Sequence, residues 1–121
     1  MVKRILVVDD NEMVLRVLRD GIVLYCEGCH ILVASGAESA LEQIRAQTVD
    51  LILTDYWMPG MNGLELARTV RQLSPETRIV VMTGLPSREI LDGPEIASLE
   101  GFILKPFRLT ELQRVLQDLE E

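Results

Sequence analysis

Leu51-Ile52-Leu53-Thr54-Asp55 is an aliphatic run that ends in a hydroxyl and a carboxylate. A strand with one wet face would alternate apolar and polar residues; this run does not, so it reads as a strand buried on both faces. Ile5 to Val8, Ile31 to Val33 and Ile79 to Met82 have the same short, β-branched character. Between these runs the apolar residues take helical spacing: Val14, Val17, Leu18 and Ile22, then Ala37, Ala40, Leu41 and Ile44, then Leu64, Ala67 and Val70. Gly101 to Leu104 reads as a fifth strand, followed by a last helix carrying Leu112, Val115, Leu116 and Leu119. Ser35-x-x-Glu38 and Thr110-x-x-Gln113 fit capping boxes, and Asn62-Gly63 fits the start of the third helix. Between Pro86 and Leu99, Gly93-Pro94 interrupts the expected fourth helix and predicts a short or split one. Strand and helix alternate throughout, which predicts an α/β fold: a parallel sheet with helices on both faces, because parallel neighbours need a crossover.

The 121 residues suit one domain over 1–121, enough chain to bury roughly two thirds of its unfolded surface. With 48% hydrophobic and 26% charged residues, the composition excludes a disordered tail or a fibre. A net charge of −7 disfavours direct contact with nucleic acid or an anionic membrane surface. The apolar run Ile5 to Val8 is shorter than the roughly 7 to 15 residues of a signal peptide. No run approaches a membrane span, so a cytoplasmic chain is expected. Cys26-Glu27-Gly28-Cys29-His30 has the spacing that tethers a c-type haem. A second axial ligand is missing in a chain with one histidine, and zinc would find three crowded ligands with no fourth. In a reducing compartment Cys26 and Cys29 are expected to be free thiols packed as small apolar groups, with Gly28 marking the turn out of the first helix.

In an open parallel sheet the functional site lies beyond the carboxyl ends of the strands. The first strand is followed by Asp9-Asp10, the third by Thr54-Asp55, the fourth by Thr83-Gly84 and the fifth by Lys105-Pro106. Singly these are ordinary turn and cap residues. Together, three carboxylates at neighbouring strand ends would repel one another unless a hard divalent cation joined them, and an all-oxygen set suits Mg²⁺. The Lys105 ammonium and the Thr83 hydroxyl complete the parts needed to bind and move a phosphoryl group.

ILVVDDN, LILTDYWMPGMNG, VVMTG and FILKPF, in that order, resemble the response-regulator receiver domains of two-component signalling over essentially the whole chain. The resemblance implies a doubly wound, flavodoxin-like five-stranded sheet of order 2-1-3-4-5, an order for which a receiver is itself a standard example. It implies a phosphorylation-controlled switch that takes a phosphoryl group onto Asp55 from a sensor histidine kinase or a histidine phosphotransfer protein. A receiver is not a turnover enzyme: it catalyses its own phosphorylation and slow dephosphorylation. Asp10 would bind Mg²⁺ directly and Asp9 through water, with Asp55 and the Trp57 backbone carbonyl completing the ligands. Lys105 would pair with a phosphoryl oxygen, Thr83 would swing in to another, and Phe102 would turn into the space Thr83 leaves. Lys105-Pro106 is expected to be cis. The output face would be the fourth predicted helix, the fifth strand and the last helix, where Arg88, Arg108 and Arg114 fall; the output target is not legible. Ser98 to Phe102 lacks the acidic pair of receivers that dimerise above winged-helix domains, so a phosphorylation-dependent dimer would need another mode. Trp57 and Leu85, bulky residues beside the site, are expected to restrict water and prolong the acyl phosphate. Two rivals remain: a metal-dependent phosphatase with an aspartate nucleophile, against which stands the absence of a second carboxylate two residues after the nucleophile, and a receiver that is not phosphorylated and acts as an interaction module.

Overall fold

The computed structural model describes residues 3–84 and 99–120. The helix expected from Pro86 onward, with Gly93-Pro94, and the positions of Leu85 and Arg88 lie outside the described residues. The elements are β1 (Arg4–Val8), α1 (Glu12–Tyr25), β2 (His30–Ala34), α2 (Ala37–Ala46), β3 (Leu51–Asp55), α3 (Gly63–Leu73), β4 (Arg78–Thr83), β5 (Gly101–Leu104) and α4 (Leu109–Glu120). The strands form one sheet of order β2-β1-β3-β4-β5 with every neighbouring pair parallel. This is the predicted doubly wound architecture, and among the described residues no helix is long and apolar enough to cross a membrane.

Strand alternation divides the aliphatic runs between two cores. Leu6, Val8, Ile52, Ile79 and Val81 meet Ala40, Leu41 and Ile44 of α2 and Leu66, Ala67 and Val70 of α3. Ile5, Val7, Leu51, Leu53, Val80, Met82 and Ile103 meet Leu15, Leu18 and Ile22 of α1 and Leu112 and Leu116 of α4. All five residues of β3 are buried, as its unbroken apolar reading required. β2 lies at the edge and leaves Val33 exposed; the Gln43 side chain donates to the Val33 carbonyl at 2.8 Å and occupies part of that edge.

The helix starts follow the sequence only in part. Asn62 accepts from the Glu65 N–H (2.9 Å) while Glu65 accepts from the Asn62 N–H (3.2 Å), a complete capping box. Asn11 caps α1 through the Met13 and Val14 N–H groups. The boxes expected at Ser35 and Thr110 do not form. α2 begins at Ala37 with Gly36 as its cap residue, so Ser35 lies one residue too early. α4 begins at Leu109, which puts Thr110 inside the first turn, and it is Glu111 that accepts from the Arg108 N–H at 3.4 Å.

The expectation of two free thiols is corrected: Cys26 and Cys29 form a disulfide. Gly28 takes a left-handed φ of 85°, so the chain folds back straight after α1. The turn brings the two Cα atoms to 5.7 Å, within the range a disulfide spans. Cys26 packs into the α1/α4 core. The sulfurs therefore close a clasp between α1 and β2.

Candidate functional site

The same alternation that divides the cores gathers the polar residues. Asp9 continues the face of Ile5 and Val7, Asp55 that of Leu51 and Leu53, and Lys105 that of Ile103, all on the α1/α4 side. Each backbone is held by the strand beside it. The Asp9 N–H donates to the Ala34 carbonyl (3.2 Å), the Tyr56 N–H to the Met82 carbonyl (2.8 Å), and the Lys105 N–H to the Thr83 carbonyl (2.8 Å). The ladder thus runs one residue past each strand and fixes where these side chains start. Lys105-Pro106 is cis, as the resemblance implied.

Lys105 Nζ lies 3.2 Å from Asp9 Oδ2 and 3.3 Å from Asp55 Oδ1, bridging the two carboxylates. Asp9 is buried, and its other oxygen, Oδ1, accepts from the Asn11 N–H at 2.9 Å. Asp10 is exposed, yet it offers an oxygen within 4.8 Å of oxygens of Asp9 and Asp55. Burial raises the Asp55 carboxyl above its ordinary pKa; the Lys105 ammonium opposes the rise and the Asp9 charge adds to it. A compact set of three carboxylates with only oxygen donors is what a small, hard divalent cation takes, and the site passes that test of fit. Lys105 is then the monovalent counter-charge already built into the protein.

Thr83 and Phe102 sit on the opposite face. Thr83 is buried at the end of β4 and pairs with Leu104, while Val81 pairs with Phe102. Phe102 is therefore the diagonal neighbour of Thr83 on one face, packed against the α2/α3 core. Trp57 is 55% exposed, and its ring meets Tyr56 edge-on with centroids 4.8 Å apart. A Cβ at Gly84 would lie 3.7 Å from Lys105 Cβ, an ordinary contact, so crowding does not demand that glycine.

The family model described as "Response regulator receiver domain" matches residues 5–117.

The chain belongs to the response regulator receiver domain family.

Among its relatives, the receiver is 37% identical over 114 residues to the autoinducer 1 sensor kinase/phosphatase LuxN of Vibrio campbellii, covering 93% of this chain and 13% of that protein. The response regulator TrrA of Thermotoga maritima, solved in complex with Mg²⁺-BeF, superposes with a TM-score of 0.85 at 29% identity, over 97% of this chain and 98% of that one. A CheY-like receiver domain protein of Methanospirillum hungatei superposes with a TM-score of 0.89 at 28% identity, over 99% and 95%. The receiver spans 13% of the length of LuxN and 54% of that of a rice two-component response regulator.

Three contributors to the site escaped sequence reasoning. Asn11 orients Asp9 through its backbone; its place directly after the acidic pair was the available signal. Thr54 donates to the Asp55 main-chain carbonyl and Gly63 lies so near it that a Cβ would not fit, a closeness no spacing reveals. A groove of about 780 Å³ adjoins the site at Lys105, lined among others by Met13 and Val17 of α1 and by Pro106, Phe107 and Leu109. Met13, Val17 and Leu109 are exposed, although Val17 shares the helical apolar spacing of Val14, Leu18 and Ile22.

Proposed function

We propose that this receiver is a phosphorylation-controlled switch in which Asp55 accepts a phosphoryl group from the phosphohistidine of a sensor histidine kinase or a histidine phosphotransfer protein. The observation that carries the reading is the Lys105 ammonium held between Asp9 and Asp55 at 3.2 and 3.3 Å. An Asp55 carboxylate oxygen attacks phosphorus; the O–P bond forms as the P–N bond breaks, and imidazole leaves with the electron pair. The product is an acyl phosphate. It keeps two negative oxygens beside Lys105, whose flexible stem lets the ammonium pass from carboxylate to phosphoryl oxygen.

Asp10, Asp55 and the Trp57 carbonyl would hold Mg²⁺ directly and Asp9 through water, and the ion would supply charge neutralisation on the phosphoryl oxygens and alignment of acceptor with donor. Asn11 keeps the Asp9 carboxylate aimed inward. The Thr83 hydroxyl then donates to a phosphoryl oxygen, and Phe102, its diagonal neighbour, turns into the space that opens. That movement alters the surface of β5 and α4, which supports an output partner there. The receiver speeds its own labelling and slowly hydrolyses the product, and residues 1–121 act as one receiver unit in the cytoplasm.

A protein donor must bring a histidine to Asp55 across whatever surrounds the mouth. The apolar groove of Met13, Val17 and Leu109 is continuous with the site through Lys105, which supports the phosphohistidine-bearing protein as its occupant. The test of the acceptor is intact mass after incubation with acetyl phosphate and Mg²⁺. The parent should gain one phosphoryl group and Asp55→Ala none; an unlabelled parent, or an equally labelled variant, contradicts the assignment.

A further inference from the structure

The Asp55 side chain can be no better placed than its main chain, and two residues constrain that main chain. The Thr54 hydroxyl, fully buried, donates to the Asp55 carbonyl oxygen at 3.0 Å. The first residue of α3 is held close by as well: the Gly63 N–H donates to the Tyr56 carbonyl at 2.8 Å. A Cβ built on Gly63 would stand 2.6 Å from that same Asp55 oxygen and 3.0 Å from the Tyr56 Cα. Both neighbours are backbone and neither can turn aside. Any side chain at position 63 therefore pushes α3 and the end of β3 apart by roughly 0.8 Å before ordinary contact is restored.

We propose that Thr54 and Gly63 are positioning residues for the phosphoryl acceptor, forming a clamp on the Asp55 carbonyl that sets the distance of its carboxylate from Lys105 and Asp9. The inference rests on Asp55 being the acceptor. Gly63 is thus a requirement of the chemistry as well as of the turn: its backbone has no left-handed φ, so the need for glycine is one of space. Thr54 supplies the attractive half. Valine has the same shape and lacks only the hydroxyl. Displacements well under an ångström matter because phosphoryl transfer is mostly alignment, and errors of about 1 Å cost on the order of a hundredfold in rate.

The experiment is the initial rate of labelling by acetyl phosphate at saturating Mg²⁺, measured across acetyl phosphate concentrations together with thermal unfolding. Thr54→Val should lower the maximal rate about threefold to tenfold and Gly63→Ala tenfold or more, with the half-saturating acetyl phosphate concentration unchanged, because the site is displaced and not lost. Thr54→Ser, which restores the hydroxyl, should return to the parent rate. Leu66→Ala, which empties a fully buried position on α3 and leaves both the Thr54 hydroxyl and Gly63 in place, should melt lower than Thr54→Val yet label at the parent rate. Gly36→Ala, where a Cβ meets nothing within 4 Å, should label at the parent rate even if losing the glycine cap of α2 lowers its melting temperature. If Gly63→Ala does not fold, the Thr54 series decides alone. Labelling of Thr54→Val at the parent rate, or equal slowing in Leu66→Ala, overturns the clamp. A parent that takes no label, or an Asp55→Ala variant that does, removes the acceptor assignment beneath it, a failure visible before any clamp variant is measured.

Discussion

Replacing Asp55 with asparagine should make the metal-free protein more stable, by an amount that depends on pH. The change keeps the shape of the side chain and removes one charge. In the folded protein that charge faces Lys105 Nζ at 3.3 Å, and its oxygens lie within 4.8 Å of oxygens on Asp9 and Asp10. At an effective dielectric of about 20 the attraction to Lys105 is about 5 kcal/mol and the repulsion from Asp9 about 3.5 kcal/mol. Asp10 is exposed, and screening by water brings its share to about 1 kcal/mol. These contributions nearly cancel. What is left is the cost of burying the carboxylate, the leading cause of its raised pKa, on the order of 1–2 kcal/mol for a group that keeps part of its hydration. An acid whose folded pKa lies above its ordinary value of 3.8 is favoured by folding in its protonated form. The penalty is therefore absent below that value and grows as pH rises through the folded pKa. Asp55→Asn should gain about 1–2 kcal/mol over the parent in urea unfolding with EDTA at about pH 7.5, and almost nothing at about pH 3.5. Saturating Mg²⁺ should reverse the order, since a cation at a hundredfold excess over its Kd adds about 2.7 kcal/mol to the form that binds it. A variant no more stable than the parent at neutral pH without divalent cation, or one with the same gain at both pH values, would refute this balance.

Lys105→Met leaves the buried Asp9 carboxylate without its cation; a loss of about 2–4 kcal/mol in EDTA is expected, with acetyl phosphate labelling reduced at least about tenfold, and labelling at the parent rate would remove Lys105 from the mechanism. Val17→Glu puts a charge in the groove on α1. It should slow transfer from a phosphohistidine protein about tenfold or more while leaving acetyl phosphate labelling alone; equal slowing of both reactions would show that the groove shapes the site and does not dock the donor. Asn62→Ala opens the capping box of α3 and should cost about 1 kcal/mol, read as a lower urea midpoint at unchanged slope, and an unshifted midpoint would mean that water replaces the cap without loss.

Much of this protein was legible in its chain because period and punctuation are local properties. Three aliphatic residues in a row at Leu51 to Leu53 cannot face water on either side of a strand, so burial, parallel pairing and crossover helices follow from a few residues. The acidic pair at Asp9-Asp10, Asp55 and Lys105 could be seen to end strands, and strand ends are where such sheets place their chemistry. Where the capping differs, at Ser35 and Thr110, a shift of one or two residues in a helix start was enough. Cys26 and Cys29 looked like thiols until the turn at Gly28 brought their Cα atoms within bonding reach.

Adjacency in sequence could not say which of two neighbouring aspartates is buried against Lys105 and which faces solvent. Alternation along β1 decides it once α1 and α4 cover one face: Asp9 points under that cover and Asp10 points out. Nor could it show that the Thr54 hydroxyl donates to the Asp55 carbonyl while Gly63, eight residues further on, leaves no room for a Cβ beside that same oxygen. Composition and periodicity determine which surfaces are buried, because burial follows from side-chain type. Distances between groups far apart in the chain are set only when the elements pack, and in phosphoryl transfer those distances are the function.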